Sequence, residues 1–211
     1  ISVYLSPSQG GILGGSWIVR LHGEDVRDGR FHGWIECDDP RPIGRLGARE
    51  AWVFPSFFAE RSMVDAATVS SLACGHRVVS VANLDEARVR INASSSQGPT
   101  RDGRLKPDIA APGTDIVAAR GFDPDRPWMR MTGTSMASPH ACGVAGLMLA
   151  VEPRLTAAQV NAILHRTSRP LPGHDYAWRD DAGFGVVQPN RCVHEAAGAY
   201  QRTQVDAGGP A

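Results

Sequence analysis

A serine hydroxyl placed at the start of an apolar helix is the strongest chemical feature of this 211-residue sequence. Ser135 follows Gly133 and Thr134, and the segment 131–151 around it contains no charged residue. Pro139 falls close to the predicted helix start, where a residue without an N–H is tolerated. The first N–H groups of a helix lack partners and lie at the positive end of its dipole, so they stabilise an alkoxide or an oxyanion. This pattern predicts a nucleophilic serine.

The segment that carries the serine is predicted to be a central helix, apolar on all sides and enclosed by a sheet. Four small residues are expected to let neighbouring backbone approach this helix: Ala141, Gly143, Ala145 and Gly146. Cys142 is expected to be a small buried thiol in the same helix. The helix is therefore predicted to form the core of the molecule.

Residues 133–140, Gly-Thr-Ser-Met-Ala-Ser-Pro-His, resemble the nucleophile motif of the subtilisin-like serine proteases, the subtilases. The turn Ser-Ser-Ser-Gln-Gly-Pro-Thr at 94–100 and the strand from Lys106-Pro-Asp to Ala-Pro-Gly follow that family's order. The resemblance covers residues 66–200 well and residues 1–60 loosely. It implies a peptide or protein substrate and favours a secreted or cell-envelope protein.

The resemblance also assigns substrate-binding residues, namely Ser70, Ser71 and Thr134. In the family, the loop before the predicted strand 78–82 borders the specificity pocket. Here that loop departs from the Gly-Ser-Pro-Ala-Thr-Ala pattern, and serine in place of glycine at position 70 would narrow the pocket floor. The strand end that the family writes Val-Gly-Ala reads Val81-Ala-Asn83. The family's substrate preference is therefore not carried over to this chain.

A serine of this kind needs a histidine base and a carboxylate that orients the histidine. The resemblance implies that an Asp-x-Gly strand end, a His-Gly-Thr-His helix and an oxyanion asparagine precede the serine, and none of these motifs precedes Ser135 here. His140 belongs to the nucleophile motif and is expected to be structural. His22 and His32 are each followed by glycine but lie in predicted strands, so they are interpreted as surface residues.

Two classes of function are open at this stage. The first is a serine endopeptidase that forms an acyl-enzyme on Ser135 and receives its Asp, His and Asn from a segment outside this chain, in cis or in trans. The second is a non-catalytic binding or scaffold protein with the same fold. We favour the first, because an intact nucleophile motif is harder to explain without catalysis. Residue 1 is expected not to be the start of the gene.

Composition argues against several other functions. The net charge of zero gives no electrostatic reason to bind nucleic acid, and no membrane span is predicted. The four cysteines are widely spaced and form no Cys-x-x-Cys pair, which argues against a zinc site and a disulfide framework. Acidic residues cluster near a turn without the spacing of a calcium loop, so a solvated loop is favoured over a calcium site: Glu24, Asp25, Asp28, Asp38 and Asp39. No metal or cofactor is expected.

The predicted fold class is α/β. By resemblance, it is the C-terminal part of a subtilisin-like parallel-sheet sandwich with a buried central helix, preceded by a β-hairpin left from an inserted β-sandwich. Three segments are predicted: a β-rich segment with a linker over 1–60, the C-terminal half of a catalytic domain over 61–200, and a flexible tail over 201–211.

Hydrophobic periodicity predicts the individual elements. Alternating apolar residues predict that strands over 16–22 and 31–37 form the hairpin. Thr156 is predicted to cap a helix over 157–167. A glycine-flanked strand then begins at Gly183, and the last helix spans 190–200.

Overall fold

The computed structural model describes residues 16–29, 31–35, 42–46, 49–52, 58–59, 64–121 and 123–207. The chain forms two compact units, Ile1–Arg61 and Ser62–Ala211. The segments predicted from the sequence meet between residues 60 and 61.

The described strands of the first unit are β1, Pro42–Leu46, and β2, Arg49–Trp52, which pair antiparallel. They lie within the predicted segment 1–60, which combines a β-rich part with a linker. The hairpin predicted over 16–22 and 31–37 is wrong over its described part, because residues 16–22 and 31–35 form no strand. Trp17 and Ile18 are 59% and 79% exposed. Alternation specifies a strand only where one face is buried against a partner, and these side chains are not buried.

The second unit is built on a three-stranded sheet in the order β4, β3, β5. Strand β3, Val81–Asp85, pairs antiparallel with β4, Arg90–Ile91, and parallel with β5, Ile109–Pro112. The strand predicted over 78–82 is thus present but begins three residues later. The parallel pair is buried, as expected for strands covered on both faces. The α/β fold class is confirmed.

A second hairpin leads from the sheet to the helix that carries the serine. Strand β6, Ile116–Ala119, pairs antiparallel with β7, Trp128–Met131. The chain then enters helix α1, Thr134–Val151. In this hairpin Ile116 pairs with Met131, so the chain returns to where it left the sheet. Ser135 therefore lies close to the end of strand β5.

Helices α2, Ala157–Thr167, and α3, Pro189–Ala207, complete the unit. The bounds of α2 are those predicted, and Thr156 forms a capping box with Gln159: each backbone N–H donates to the other's side chain, at 2.8 and 3.3 Å. Helix α3 begins at Pro189, a residue suited to a first helical position. It continues to Ala207, where the sequence predicts a tail from residue 201. The strand predicted from Gly183 is reduced to isolated bridges at Gly183 and Val186.

Helix α1 is buried along one face. Ala137, Ala141, Val144 and Met148 pack in a core with residues of β5, α2 and α3. The opposite face is open among the described residues, where Leu147 is 55% exposed. Burial on all sides is therefore not found, because the described strands cover only one side of the helix.

Two details of the predicted helix are wrong. A Cβ atom added to Gly143 or Gly146 would meet nothing within 4 Å, so no backbone of the described ranges approaches there. Cys142 is exposed rather than buried. All three residues lie on the open face of α1.

By length and composition alone, α1 is also the one helix in the described part of the chain that could cross a membrane. It packs against β3 and β5. A central helix of an α/β core has the same composition, because its surroundings are apolar. We therefore interpret α1 as a core helix.

Candidate active site

Ser135 lies in the first turn of α1 and is exposed. The N–H groups of Met136 and Ala137 both donate to the carbonyl of Gly133, at 3.0 and 3.3 Å, which starts the helix. The hydroxyl of Ser135 has no hydrogen-bond partner among the described residues. The arrangement leaves a free hydroxyl beside the N-terminal end of an 18-residue helix, where developing negative charge is stabilised.

The start of α1 is fixed by the turn that follows β5. Gly133 donates its N–H to the carbonyl of Gly113 at 2.9 Å, and Asp115 donates its N–H to Oγ1 of Thr132 at 2.9 Å. A Cβ atom on Gly113 would lie 2.7 Å from the Gly133 carbonyl oxygen and 2.9 Å from the Cβ of Ala137. Only glycine at position 113 allows this approach, and the serine is held in place by it.

An apolar groove of about 300 Å³ lies beside the serine. Strand β6 and the first turns of α1 line it: Ile116, Ala118, Ser135, Met136, Pro139 and His140. The lining is mainly apolar, and the groove opens next to the hydroxyl of Ser135. Helix α1 begins at Thr134, so Pro139 lies in its second turn rather than its first. The missing N–H of Pro139 leaves the carbonyl of Ser135 without its helical donor.

None of the seven histidines, all of which lie in the described ranges, forms a hydrogen bond with Ser135. His140 donates from Nδ1 to the carbonyl of Met136 at 3.0 Å, so its ring is anchored on its own helix. His22 and His32 are exposed in the first unit. The predicted nucleophile therefore has no histidine hydrogen-bonded to it in the described part of the chain.

The three residues assigned to substrate binding lie at two places. Thr134 is the first residue of α1, next to Ser135, and is exposed. Ser70 precedes the 3₁₀ turn Ser71–Cys74, where its carbonyl accepts from the N–H of Ala73 at 2.9 Å. Ser70 and Ser71 are exposed and do not line the groove beside Ser135.

A buried ionic cluster supports the sheet below the site. Asp108 Oδ2 accepts from Lys106 Nζ at 2.6 Å and from the N–H of Ser80 at 2.7 Å, and Asp108 Oδ1 accepts from His165 Nε2 at 3.1 Å. Burial raises the pKa of Asp108, but the hydrogen bonds from His165, Lys106 and Ser80 outweigh burial, so this pKa lies below its ordinary value. The carboxylate is ionised and ties the residues that directly precede β3 and β5 to helix α2.

Sequence reasoning missed this cluster. Lys106 and Asp108 stand two residues apart beside an apolar strand, a spacing that places both side chains on one face. Charged residues in such a position are buried only when they are paired. The spacing of Lys106 and Asp108 therefore indicates a buried ion pair.

No group of three or more His, Cys, Asp or Glu side chains that could hold a metal occurs within the described ranges. In the acidic turn, Asp25 lies 4.0 Å from Arg27, and both side chains are exposed. Asp38 and Asp39 lie outside the described residues. Cys74, Cys142 and Cys192 are free thiols.

Comparisons with known proteins agree with this geometry. The sequence model of the Subtilase family, Peptidase S8, matches residues 60–190, which is more than half of the chain. The chain is 32% identical over 179 residues to the serine protease AprX of Bacillus subtilis, covering 75% of this chain and 39% of that protein. It is 33% identical over 126 residues to the halolysin-like extracellular serine protease Nep of Natrialba magadii, covering 60% of this chain and 21% of Nep.

Two solved structures share the fold. The CspB protease of Clostridium perfringens superposes with a TM-score of 0.54 at 23% identity, over 72% of this chain and 34% of that one. The prenylagaramide maturation protease PagA superposes with a TM-score of 0.52 at 22% identity, over 63% of this chain and 47% of that one. The chain spans less than half the length of these relatives. With the nucleophile motif at the start of its core helix, the chain belongs to the subtilase family.

Proposed function

We propose that this chain is the nucleophile-bearing portion of a serine endopeptidase. The observation that carries the proposal is the exposed hydroxyl of Ser135 at the start of α1, which lies beside an apolar groove and has no hydrogen-bond partner among the described residues. In the proposed reaction Oγ attacks the carbonyl carbon of a peptide bond while a base takes its proton. The base then protonates the leaving amine, and water hydrolyses the acyl-enzyme.

The aspartate, the histidine base and the oxyanion asparagine are supplied by a segment outside this chain, in cis or in trans. Two observations support this division. No histidine of the chain forms a hydrogen bond with Ser135, and the chain spans only 39% of the related AprX. The open apolar face of α1, which includes Leu147 and Leu149, is the surface that the missing segment would cover.

The substrate of the proposed enzyme is a peptide or a protein. Thr134 borders the nucleophile, and the groove of Ile116, Ala118 and Met136 receives an apolar substrate side chain. Ser70 and Ser71 bind substrate from the loop that precedes β3. A secreted location is part of the proposal, and it is supported by relatives such as Nep that are named extracellular.

The test uses the complete catalytic domain, with Ser135→Ala as the test variant and Ser96→Ala, a change of another exposed serine, as the matched control. We expect Ser135→Ala to abolish both peptide hydrolysis and labelling by a fluorophosphonate probe, while Ser96→Ala retains both. Cleavage by Ser135→Ala at the parent rate would refute the assignment. A complete parent protein that neither cleaves nor labels would instead favour the non-catalytic scaffold.

A further inference from the structure

A fully buried amide side chain lies beneath the first turn of α1. Asn83 is 0% exposed and stands at the centre of β3. It shares a face of the strand with Val81, which packs against the core that contains α1. The face of the sheet that meets the apolar helix therefore carries a polar residue just below the serine.

The amide reaches the turn that holds the helix start. Asn83 Oδ1 accepts from Oγ1 of Thr114 at 3.0 Å, and Thr114 also accepts from Asn92 Nδ2 at 3.1 Å. Asn83 Oδ1 would lie only 2.6 Å from a Cβ atom on Gly113, so the amide is in contact with this turn. The Thr114 hydroxyl is thus held between Asn83, to which it donates, and Asn92, from which it accepts.

The same turn is bonded to the residues that precede the nucleophile. The Gly113 carbonyl accepts from the N–H of Gly133, and the N–H of Asp115 donates to Thr132, both at 2.9 Å. A continuous set of contacts thus runs from Asn83 through residues 113–115 to residues 132–133, and Ser135 lies two residues further on.

Burying the side chain of Asn83 lowers the stability of the fold compared with burying an apolar side chain. Its Nδ2 atom is buried and has no hydrogen-bond partner among the described residues. A buried amide N–H without a partner destabilises the folded state, whereas a small apolar side chain would carry no such cost. The contribution of the amide is therefore expected in its contact with the turn rather than in its burial.

We infer that Asn83 is a positioning residue for Ser135, acting through Thr114 and the turn 113–115. The amide limits the movement of this turn and so fixes where the hydroxyl stands relative to a bound peptide. This inference rests on the proposed endopeptidase function.

The test compares Asn83→Ala and Thr114→Val with Ser95→Ala in the complete catalytic domain. Ser95 is a matched control, because its buried hydroxyl accepts from the backbone N–H of Asn83 at 3.1 Å without touching the turn. Three quantities are measured: kcat and KM for a peptide, and hydrogen exchange of the peptide that covers residues 131–137.

We expect Asn83→Ala and Thr114→Val each to lower kcat roughly 10- to 100-fold with KM changed less than about twofold, as for a misplaced nucleophile. Both should accelerate hydrogen exchange in residues 131–137. If the two residues act through one path, kcat of the double variant should be no lower than kcat of the less active single variant. Ser95→Ala should change the melting temperature only. If Asn83→Ala does not fold, the half-buried Thr114→Val decides the question.

Two results would overturn the inference. One is parent-like kcat in Thr114→Val or Asn83→Ala, and the other is a loss of kcat in Ser95→Ala as large as theirs. Failure of the proposed function is recognised separately, because Ser135→Ala would then leave hydrolysis and labelling unchanged. The exchange measurement tests the mechanical link in either case, since accelerated exchange specific to Asn83 and Thr114 variants supports it and its absence contradicts it.

Discussion

His165 Nε2 lies 3.1 Å from Asp108 Oδ1, which joins α2 to the start of β5 across 57 residues of sequence. The His165 ring also stacks on Phe184, with ring centroids 4.3 Å apart. An Asp–His pair of this kind resembles part of a catalytic triad, but His165 forms no hydrogen bond with Ser135, and Asp108 also accepts from the hydroxyl of Ser80 at 3.0 Å. The pair therefore clamps the sheet to α2 and does not activate Ser135.

Replacing Asp108 by Asn should destabilise the fold at neutral pH. Asp108 is 3% exposed, and its loss leaves Lys106 buried without its counter-ion. We expect a cost of about 3–5 kcal/mol in urea denaturation at pH 7. Asp125→Asn, an exposed control, should unfold like the parent.

The pH dependence of the parent follows from the same carboxylate. Its folded-state pKa lies below the ordinary 3.8, so its stabilising contribution is complete above pH 3.8 and is lost as the pH falls through the folded-state pKa. The difference in unfolding free energy between parent and Asp108→Asn should therefore be constant near neutrality and shrink below pH 3.8. A difference that stays constant down to pH 2 would contradict this role.

Gly146→Leu should affect folding stability differently in the isolated chain and in the complete catalytic domain. Gly146 faces open space, so Gly146→Leu in the isolated chain should be neutral or gain up to about 1 kcal/mol from helix propensity. In the complete domain the same change should disrupt folding, because the missing segment would cover that face. Ala141→Leu, on the buried face, should be harmful in both contexts. Equal tolerance of Gly146→Leu in both would show that this face stays uncovered.

The isolated chain should not react rapidly with a fluorophosphonate probe. No histidine of the chain is hydrogen-bonded to Ser135. Triad members act as a unit, so loss of the base costs on the order of a million-fold in turnover. Addition of the segment with the Asp, His and Asn in trans should restore labelling at Ser135, as followed by mass spectrometry. Rapid labelling of the chain alone would point to a base among its own histidines.

Removal of the α2 cap should cost a modest amount of stability. Thr156→Ala eliminates the side chain that accepts from the N–H of Gln159, and such caps contribute about 1 kcal/mol. Gln159→Ala removes the reciprocal bond and should cost less than Thr156→Ala. Thermal unfolding measures both, and no change in Thr156→Ala would show that α2 is held by packing alone.

The local elements of this protein are determined by the sequence. Thr156 and Gln159 are three residues apart, so the capping box that starts α2 is present in the pattern itself. The apolar stretch after Gly133 predicts α1, and the residues around Ser135 match the nucleophile motif of the subtilase family. Interactions between residues that are close in sequence depend on the residue types and their spacing, and the sequence contains both.

Contacts between distant residues were decided by the tertiary structure alone. The bond between Gly133 and Gly113 and the clamp of Asp108 on His165 depend on where the chain returns, which no local pattern contains. The apolar residues of α1 predicted burial on all sides, but hydropathy shows only that a face is apolar, not which element covers it. The alternation around Trp17 failed for the same reason, because a strand forms only where a partner and a core are present.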